Sequence, residues 1–269
     1  MPIRLTPQPT FRDRLADTDR PLVGMWVCTG SALNAEICAG SGLDWILIDG
    51  EHGPNTLDTI VPQLQAIAAY PATPLVRAPF GEPVIIKQLL DIGAQNLIVP
   101  MVNTPQDAAA AVSAVRYPPH GIRGVGSALA RASRWNRYED YLANADSTVS
   151  LTVQIETAQA VENAAEIAGT DGVHALFIGP SDLAASMGLL GRQGHPDVVA
   201  AVESTIRTAK ELGVPVGVNA FDPAMARRYV EAGADFVAVA ADVALLARAS
   251  EKLADEWITG ENAPTRASY

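Results

Sequence analysis

Four short stretches of the sequence place ionisable side chains at the ends of apolar runs. IDGEHGPN carries Asp49, Glu51 and His52; LVRAP carries Arg77; VQIET carries Gln154 and Glu156; FIGPSDL carries Asp182. Two carboxylates such as Glu156 and Asp182 give a hard divalent cation oxygen ligands and charge while leaving coordination positions open. An imidazole such as that of His52 is a good proton shuttle, and Asp49, three residues earlier, is placed to orient it. Arg77 offers a permanent charge and a fixed fork for a carboxylate or an oxyanion. The turn 179–183 (GPSDL) opens a helix, whose first N–H groups bind carboxylates without a basic side chain. Each assignment has a plainer alternative. Asp182 caps a helix, His52 is a hydrogen-bonding loop residue, and Arg77 is half of a core ion pair.

For these groups to act together, the intervening elements must bring them to one edge. Eight short runs rich in Val, Ile and Leu read as strands: 22–28, 44–49, 73–77, 96–101, 149–155, 174–178, 215–219 and 236–240. Strands buried on both faces of a parallel sheet look like this. Helical patterns lie at 56–69, 83–92, 105–115, 158–167, 196–212, 223–232 and 243–257, with Pro62 placed to kink the first. Gly42, Gly93, Gly213 and Gly233 stand where helices end, a position that favours the left-handed conformation. The alternation predicts an α/β fold, a single-domain (β/α)8 TIM barrel over 21–258, with an N-terminal extension 1–20 and a tail 259–269. An open doubly wound sheet is the rival, but the first turn, Cys28-Thr29-Gly30-Ser31, lacks the spaced glycines of a dinucleotide site. In such a barrel the site lies at the C-terminal ends of the strands, where the four motifs fall. The segment 117–145, with Arg123, Arg131, Arg134 and Arg137, interrupts the rhythm. It reads equally as a functional loop and as a subunit contact.

The remaining composition excludes several classes. The chain has 269 residues, 30 acids against 19 bases, and a net charge of −11. Nucleic acid and anionic membrane surfaces are poor partners for that balance. No apolar run reaches bilayer length and the N-terminus lacks a signal-peptide core, so the expected location is cytoplasmic. Cys28 and Cys38 are the two cysteines, and a core of this size needs no disulfide. Lys87, Lys210 and Lys252 are the three lysines, and all fall in helical patterns. A Schiff-base aldolase needs a lysine projecting from a strand, so that chemistry is disfavoured. The seventh and eighth strands end VGVNAF and VAVAAD, without the glycine-rich turn of a phosphate cradle. Metal-assisted chemistry on a small, carboxylated, unphosphorylated molecule remains.

The motifs DGEHGPN, LVRAP, LLDIGAQNLIVPMV, YPPHGIRGVG, QIET and FIGPSDLAASMG, in this order from about Val23 to about Leu246, resemble the HpcH/HpaI family of class II pyruvate aldolases. The resemblance implies a divalent metal (Mg, Mn or Co) on Glu156 and Asp182, with Gln154 lining the same site. It also implies pyruvate bound through that metal and through backbone N–H groups near Ser181 and Asp182. Arg77 would stabilise the enolate and His52 would move the proton, with Asp49 nearby. Asp91, in LLDIGA, matches a family aspartate that reaches the histidine of a neighbouring subunit. A homo-oligomer, trimer or hexamer with exchanged C-terminal helices, and a place in aromatic catabolism are further implications. The reaction implied is reversible cleavage of a 4-hydroxy-2-oxo acid to pyruvate and an aldehyde. The competing readings are a citrate lyase β or malyl-CoA lyase type of enzyme acting on a CoA thioester, and a barrel retained as a binding scaffold. Gly53, the VRAPFGEP segment, Asn219, Ala220 and Ala241 depart from the family pattern and bear on which aldehyde is accepted.

Overall fold

The structure, a computed structural model, describes residues 3–259. In chain order the elements are α1 (Phe11–Ala16), β1 (Leu22–Val27), α2 (Ala32–Ala39), β2 (Trp45–Asp49), α3 (Leu57–Ile67), β3 (Thr73–Arg77), α4 (Pro83–Asp91), β4 (Asn96–Val99), α5 (Pro105–Val115) and α6 (Tyr141–Asn144). They continue with β5 (Ser150–Ile155), α7 (Ala158–Glu162), α8 (Ala164–Ala168), β6 (Ala175–Ile178), α9 (Pro180–Ser186), α10 (Pro196–Glu211), β7 (Val216–Asn219), α11 (Pro223–Glu231), β8 (Phe236–Ala241) and α12 (Asp242–Ala254). The eight strands pair in sequence order, all parallel, and β8 closes on β1. This is the TIM barrel that the alternation predicts. Gly42, Gly93, Gly213 and Gly233 all take positive φ after their helices, as helix-ending glycines do.

Alternation within each strand sorts its side chains. Ile46, Ile48, Val76, Leu97 and Val153 face outward into the layer between sheet and helices. Trp45, Leu47, Leu75, Ile98, Phe177 and Phe236 face inward and fill the barrel. Gly24 and Gly217 make room for them. A Cβ on Gly24 would lie 2.2 Å from the Trp45 ring, and one on Gly217 2.2 Å from the Phe236 ring. The N-terminal helix α1 contributes a plug. Phe11 of α1 is fully buried beneath the barrel, its ring 5.1 Å from that of Phe236, and its N–H donates to Asn96 Oδ1 at 2.7 Å. The inward parity that makes this floor leaves polar groups at the opposite end: Asp49, Arg77, Gln154 and Asn219 continue the same rows.

One expectation changes. The pattern over 158–167 forms two short helices, because Asn163 leaves helical geometry and its Nδ2 donates to the Asn103 carbonyl at 2.8 Å. The helix α3 is continuous through Pro62. The arginine-rich segment 117–145 follows α5, so it lies at the end of the barrel away from the C-terminal rim. Arg131 Nη1 donates to the Ile92 carbonyl at the end of α4, and Arg134 Nη1 to the Arg131 carbonyl. Arg123 is buried over the Tyr117 ring. These cations are therefore not placed to meet a substrate at the rim. Of the proposed tail, residues 260–269 lie outside the described residues.

Candidate active site

Strand register puts Asp49 beside Arg77. Arg77 Nε donates to Asp49 Oδ1 at 2.9 Å and Nη2 to Oδ2 at 2.8 Å, so the fork is held edge-on. Both side chains are buried. Burial opposes ionisation of Asp49, but the Arg77 contacts and the Glu51 and His52 backbone N–H groups hold its carboxyl below the usual range. Arg77 in turn is kept above its ordinary value, because Asp49 outweighs the cost of burial. The Trp26 ring lies 4.2 Å from the guanidinium carbon, a cation–π contact. The Trp26 Nε1–H donates to Asn219 Oδ1 at 2.8 Å.

Across the rim, Glu156 follows β5 directly and is buried. Its Oε1 accepts the Met101 N–H at 2.7 Å and its Oε2 accepts from Gln154 Nε2. Met101 has φ of 56°, a conformation that costs a non-glycine residue of order 1 kcal/mol. That strain aims the N–H at Glu156. Burial pushes the Glu156 carboxyl up to about 7; the Met101 bond works against this, and the charges of Asp182 and Glu51 add to it. Asp182 is exposed in the first turn of α9. Gly179 is the N-cap, and the Asp182 carboxylate forms no capping hydrogen bond. The first N–H groups of α9 have no carbonyl of their own helix to bond. Gln154 Oε1 is buried without a hydrogen bond.

His52 is exposed, and its Nε2 lies 3.9 Å from Glu51 Oε2. Asp49 does not orient this ring. Its oxygens go to Arg77 and to the loop N–H groups, because the strand register brings a guanidinium closer than the loop brings the imidazole. Asp91 lies at the end of α4, on the barrel's other end, 3.4 Å from Arg123 Nη2. Within one chain it is not brought to the rim. Glu51, Met101 and Trp26 join the site without having been assigned a role from sequence, and Asn219, read there only as bearing on the aldehyde, joins them through Trp26. Trp26 and Asn219 were open to strand parity; a left-handed Met101 leaves no sequence signal.

The residues fit a hard cation. Glu51, Glu156 and Asp182 outnumber the one guanidinium, which Asp49 already neutralises, and Gln154 Oε1 is an oxygen donor without a partner. Among the described residues no group of three or more His, Cys, Asp or Glu side chains is arranged around one ion position. Glu156 and Asp182 would therefore leave most of the coordination sphere to water and substrate. Cys28, at the end of β1, is unpaired, as is Cys38. Burial, reinforced by Asp49, pushes the Cys28 thiol up to about 12, so it is no nucleophile at neutral pH.

A (β/α)8 barrel with paired carboxylates opposite a clamped arginine defines a class of lyase barrel, and comparison with known proteins gives its family. Residues 22–249 match the HpcH/HpaI aldolase/citrate lyase family pattern. The chain belongs to that family and is a carbon–carbon lyase. It is 52% identical over 252 residues to a 4-hydroxy-2-oxo-heptane-1,7-dioate aldolase of Salmonella dublin, covering 94% of this chain and 95% of the relative. A family protein of Burkholderia cenocepacia superposes with TM-score 0.87 at 45% identity, covering 91% of this chain and 97% of its own. The HpcH/HpaI aldolase of Desulfitobacterium hafniense gives 0.85 at 27% identity, with 97% and 100% covered. No helix among the described residues is long and apolar enough to cross a membrane.

Proposed function

We propose that the protein catalyses divalent-cation-dependent, reversible aldol cleavage of a 4-hydroxy-2-oxo acid. The substrate is of the 4-hydroxy-2-oxoheptanedioate type, and the products are pyruvate and an aldehyde such as succinic semialdehyde. One observation carries the reading: the Arg77 fork, locked by Asp49, faces the charge-burdened Glu156 and Asp182 across the rim. Glu156 and Asp182 would hold the cation (Mg, Mn or Co), which when bound supplies Lewis-acid polarisation of the keto group. The first-turn N–H groups at Ser181 and Asp182 bind the substrate carboxylate, and Gln154 lines the same floor. Arg77, with Nε and one Nη2 hydrogen spent on Asp49, turns its remaining N–H groups to the keto oxygen as negative charge develops there. His52 takes the proton from the C4 hydroxyl. The C3–C4 bond then breaks, the aldehyde leaves, and the electron pair passes to the three-carbon enolate. Protonation at C3 gives pyruvate, and condensation is the reverse.

The high identity to an aldolase named for the heptanedioate supports that substrate class. Neither a Schiff-base lysine nor a nucleotide is part of the reading, since Lys87, Lys210 and Lys252 all lie on helices. The reading includes a cytoplasmic homo-oligomer, a trimer or hexamer, in which Asp91 acts across a subunit boundary. Neither nucleic acid nor a membrane is a partner.

The test is pyruvate release from 4-hydroxy-2-oxoheptanedioate with and without a chelator. We expect the chelator to abolish release and added Mg, Mn or Co to restore it. Glu156→Ala is expected to be inactive, and His52→Ala slowed by about a hundredfold or more. Full activity of chelated wild type, or of Glu156→Ala, would overturn the assignment.

A further inference from the structure

We infer that Asn219 is a specificity-determining residue: its Nδ2 hydrogens recognise an oxygen acceptor at the far end of the aldehyde fragment, a carboxylate in the substrate class proposed above. The inference rests on that reaction. Asn219 ends β7 and Trp26 lies near the end of β1, with β8 between the two strands. The inward residues of β8 at this level are Ala238, which pairs with Asn219, and Ala241, which pairs with Trp26. Over these methyl groups the Trp26 Nε1–H reaches Asn219 Oδ1 at 2.8 Å. An indole N–H can only donate, so this bond fixes which end of the amide faces it. Oδ1 is spent on Trp26, and Nδ2 is turned away from it. Among the described residues Nδ2 donates to no group, and Asn219 is half-buried.

The sector β7–β8–β1 is the part of the rim left for the rest of the substrate. In the reaction above, the N-terminus of α9 after β6 holds the C1 carboxylate, Arg77 of β3 faces the keto oxygen, and His52 after β2 meets the C4 hydroxyl. Carbons beyond C4 then run over the small side chains of β8 toward Asn219. Trp26 sets the direction of this path. Its ring lies 4.2 Å from the Arg77 guanidinium carbon on one side, and its Nε1 holds the amide on the other. An apolar end would strand the amide hydrogens as water leaves, which is costly; a carboxylate accepts them. Arg77 does not serve this second anion, because it already pairs with Asp49 at 2.8 Å and with Glu51 at 3.0 Å.

The test is condensation of pyruvate with two aldehydes of matched shape at saturating divalent cation. Succinic semialdehyde ends in a carboxylate and 4-methylpentanal in an isopropyl group. The readout is the ratio of their kcat/KM values, which cancels any change in the shared pyruvate half. We expect wild type to favour the semialdehyde. Asn219→Leu keeps the size and removes the donor, and should lower the ratio by about tenfold or more, with the KM for pyruvate within about threefold. Asn219→Asp keeps an acceptor for the Trp26 N–H but replaces the donor with a charge of the wrong sign, and should lower the ratio at least as far. A ratio within about twofold of wild type in either variant overturns the inference, and Asn219 then only braces Trp26 over Arg77. Should Asn219→Leu fail to fold, judged by its melting transition, Asn219→Ala takes its place under the same criterion. A wild type that condenses no aldehyde with pyruvate overturns the underlying reaction as well, and that is read before any variant is made.

Discussion

Glu156 carries a charge where the fold makes charge least comfortable, and this has a measurable consequence. Its carboxyl is pushed up to about 7, by burial first and by Asp182 and Glu51 next. Between its ordinary value and about 7 the folded chain holds a proton that the unfolded chain lacks. Stability is therefore highest at low pH in this window and falls as pH rises through 7. His174, beneath the barrel, runs the other way. Burial lowers its pKa to about 4, so its contribution is complete above about pH 6.5 and is lost as pH falls toward 4. Above pH 6.5 the His174 contribution is complete, and what remains of the slope comes from Glu156, with Glu51 beside it raised in the same direction by burial. With a chelator present, raising pH from 6.5 to 8 is expected to cost about 1 kcal/mol, or roughly 2–4 °C in Tm. Glu156→Gln should flatten most of that slope, as scanning calorimetry would show. A second prediction concerns the fork. Arg77→Lys keeps the charge but cannot bond both Asp49 oxygens in plane, so kcat/KM should fall by about a hundredfold or more; a loss under tenfold would remove Arg77 from the oxyanion role. Residue types at strand ends were legible in the sequence, because Glu156 and Arg77 interrupt apolar runs. Their partners were less so. Asp49 was read toward His52, and only the lateral register of β2 on β3 shows that Arg77 takes it.

At the scale of elements, the rim exists because the barrel floor is packed with aromatics, and the glycines opposite them set a sharp test. Gly24 faces the Trp45 ring so closely that a Cβ there would overlap it, whereas a Cβ on Gly42 would meet nothing within 4 Å. Gly24→Ala forces a rigid, fully buried indole to move. It should cost about 3 kcal/mol or more, roughly 6–12 °C in Tm. Gly42→Ala pays only for its positive φ, about 1 kcal/mol. Equal losses in thermal melting would mean the Trp45 side chain finds room after all. The eight strands were legible from sequence because each is a buried run with few alternatives. The break at Asn163 was not, since it follows from a bond to the Asn103 carbonyl sixty residues away in sequence. The segment 117–145 could be seen as an insertion but not placed. Its position follows from coming after a helix rather than after a strand, which puts it at the end of the barrel opposite the chemistry.

The whole molecule has one element that a single chain does not satisfy. In α12, only the first residue, Asp242, is buried. Its carboxylate ties α12 to the β1 end by accepting from Cys28 N and Thr29 Oγ1. Beyond that anchor, Leu246, Leu253, Trp257 and Ile258 are 58–82% exposed, as are Leu33 and Ile37 of α2 at 64–65%. Apolar surface of this extent on a soluble monomer is unusual, and it fits a second copy of the chain covering α12. The expected mass in sedimentation equilibrium is thus a multiple of 28.3 kDa. Leu246→Glu with Leu253→Glu should shift it toward the single chain, since each charge would be buried in a contact without a partner. The same assembly decides how Asp91 can matter, since its own chain holds it beside Arg123 and away from the rim. If Asp91 serves a neighbour's site, co-assembled Asp91→Asn and His52→Ala chains will regain activity that neither has alone, because some sites then combine an intact Asp91 with an intact His52. If mixtures stay as inactive as their parents, Asp91 does its work within one chain, and the subunit boundary is a matter of stability and not of chemistry.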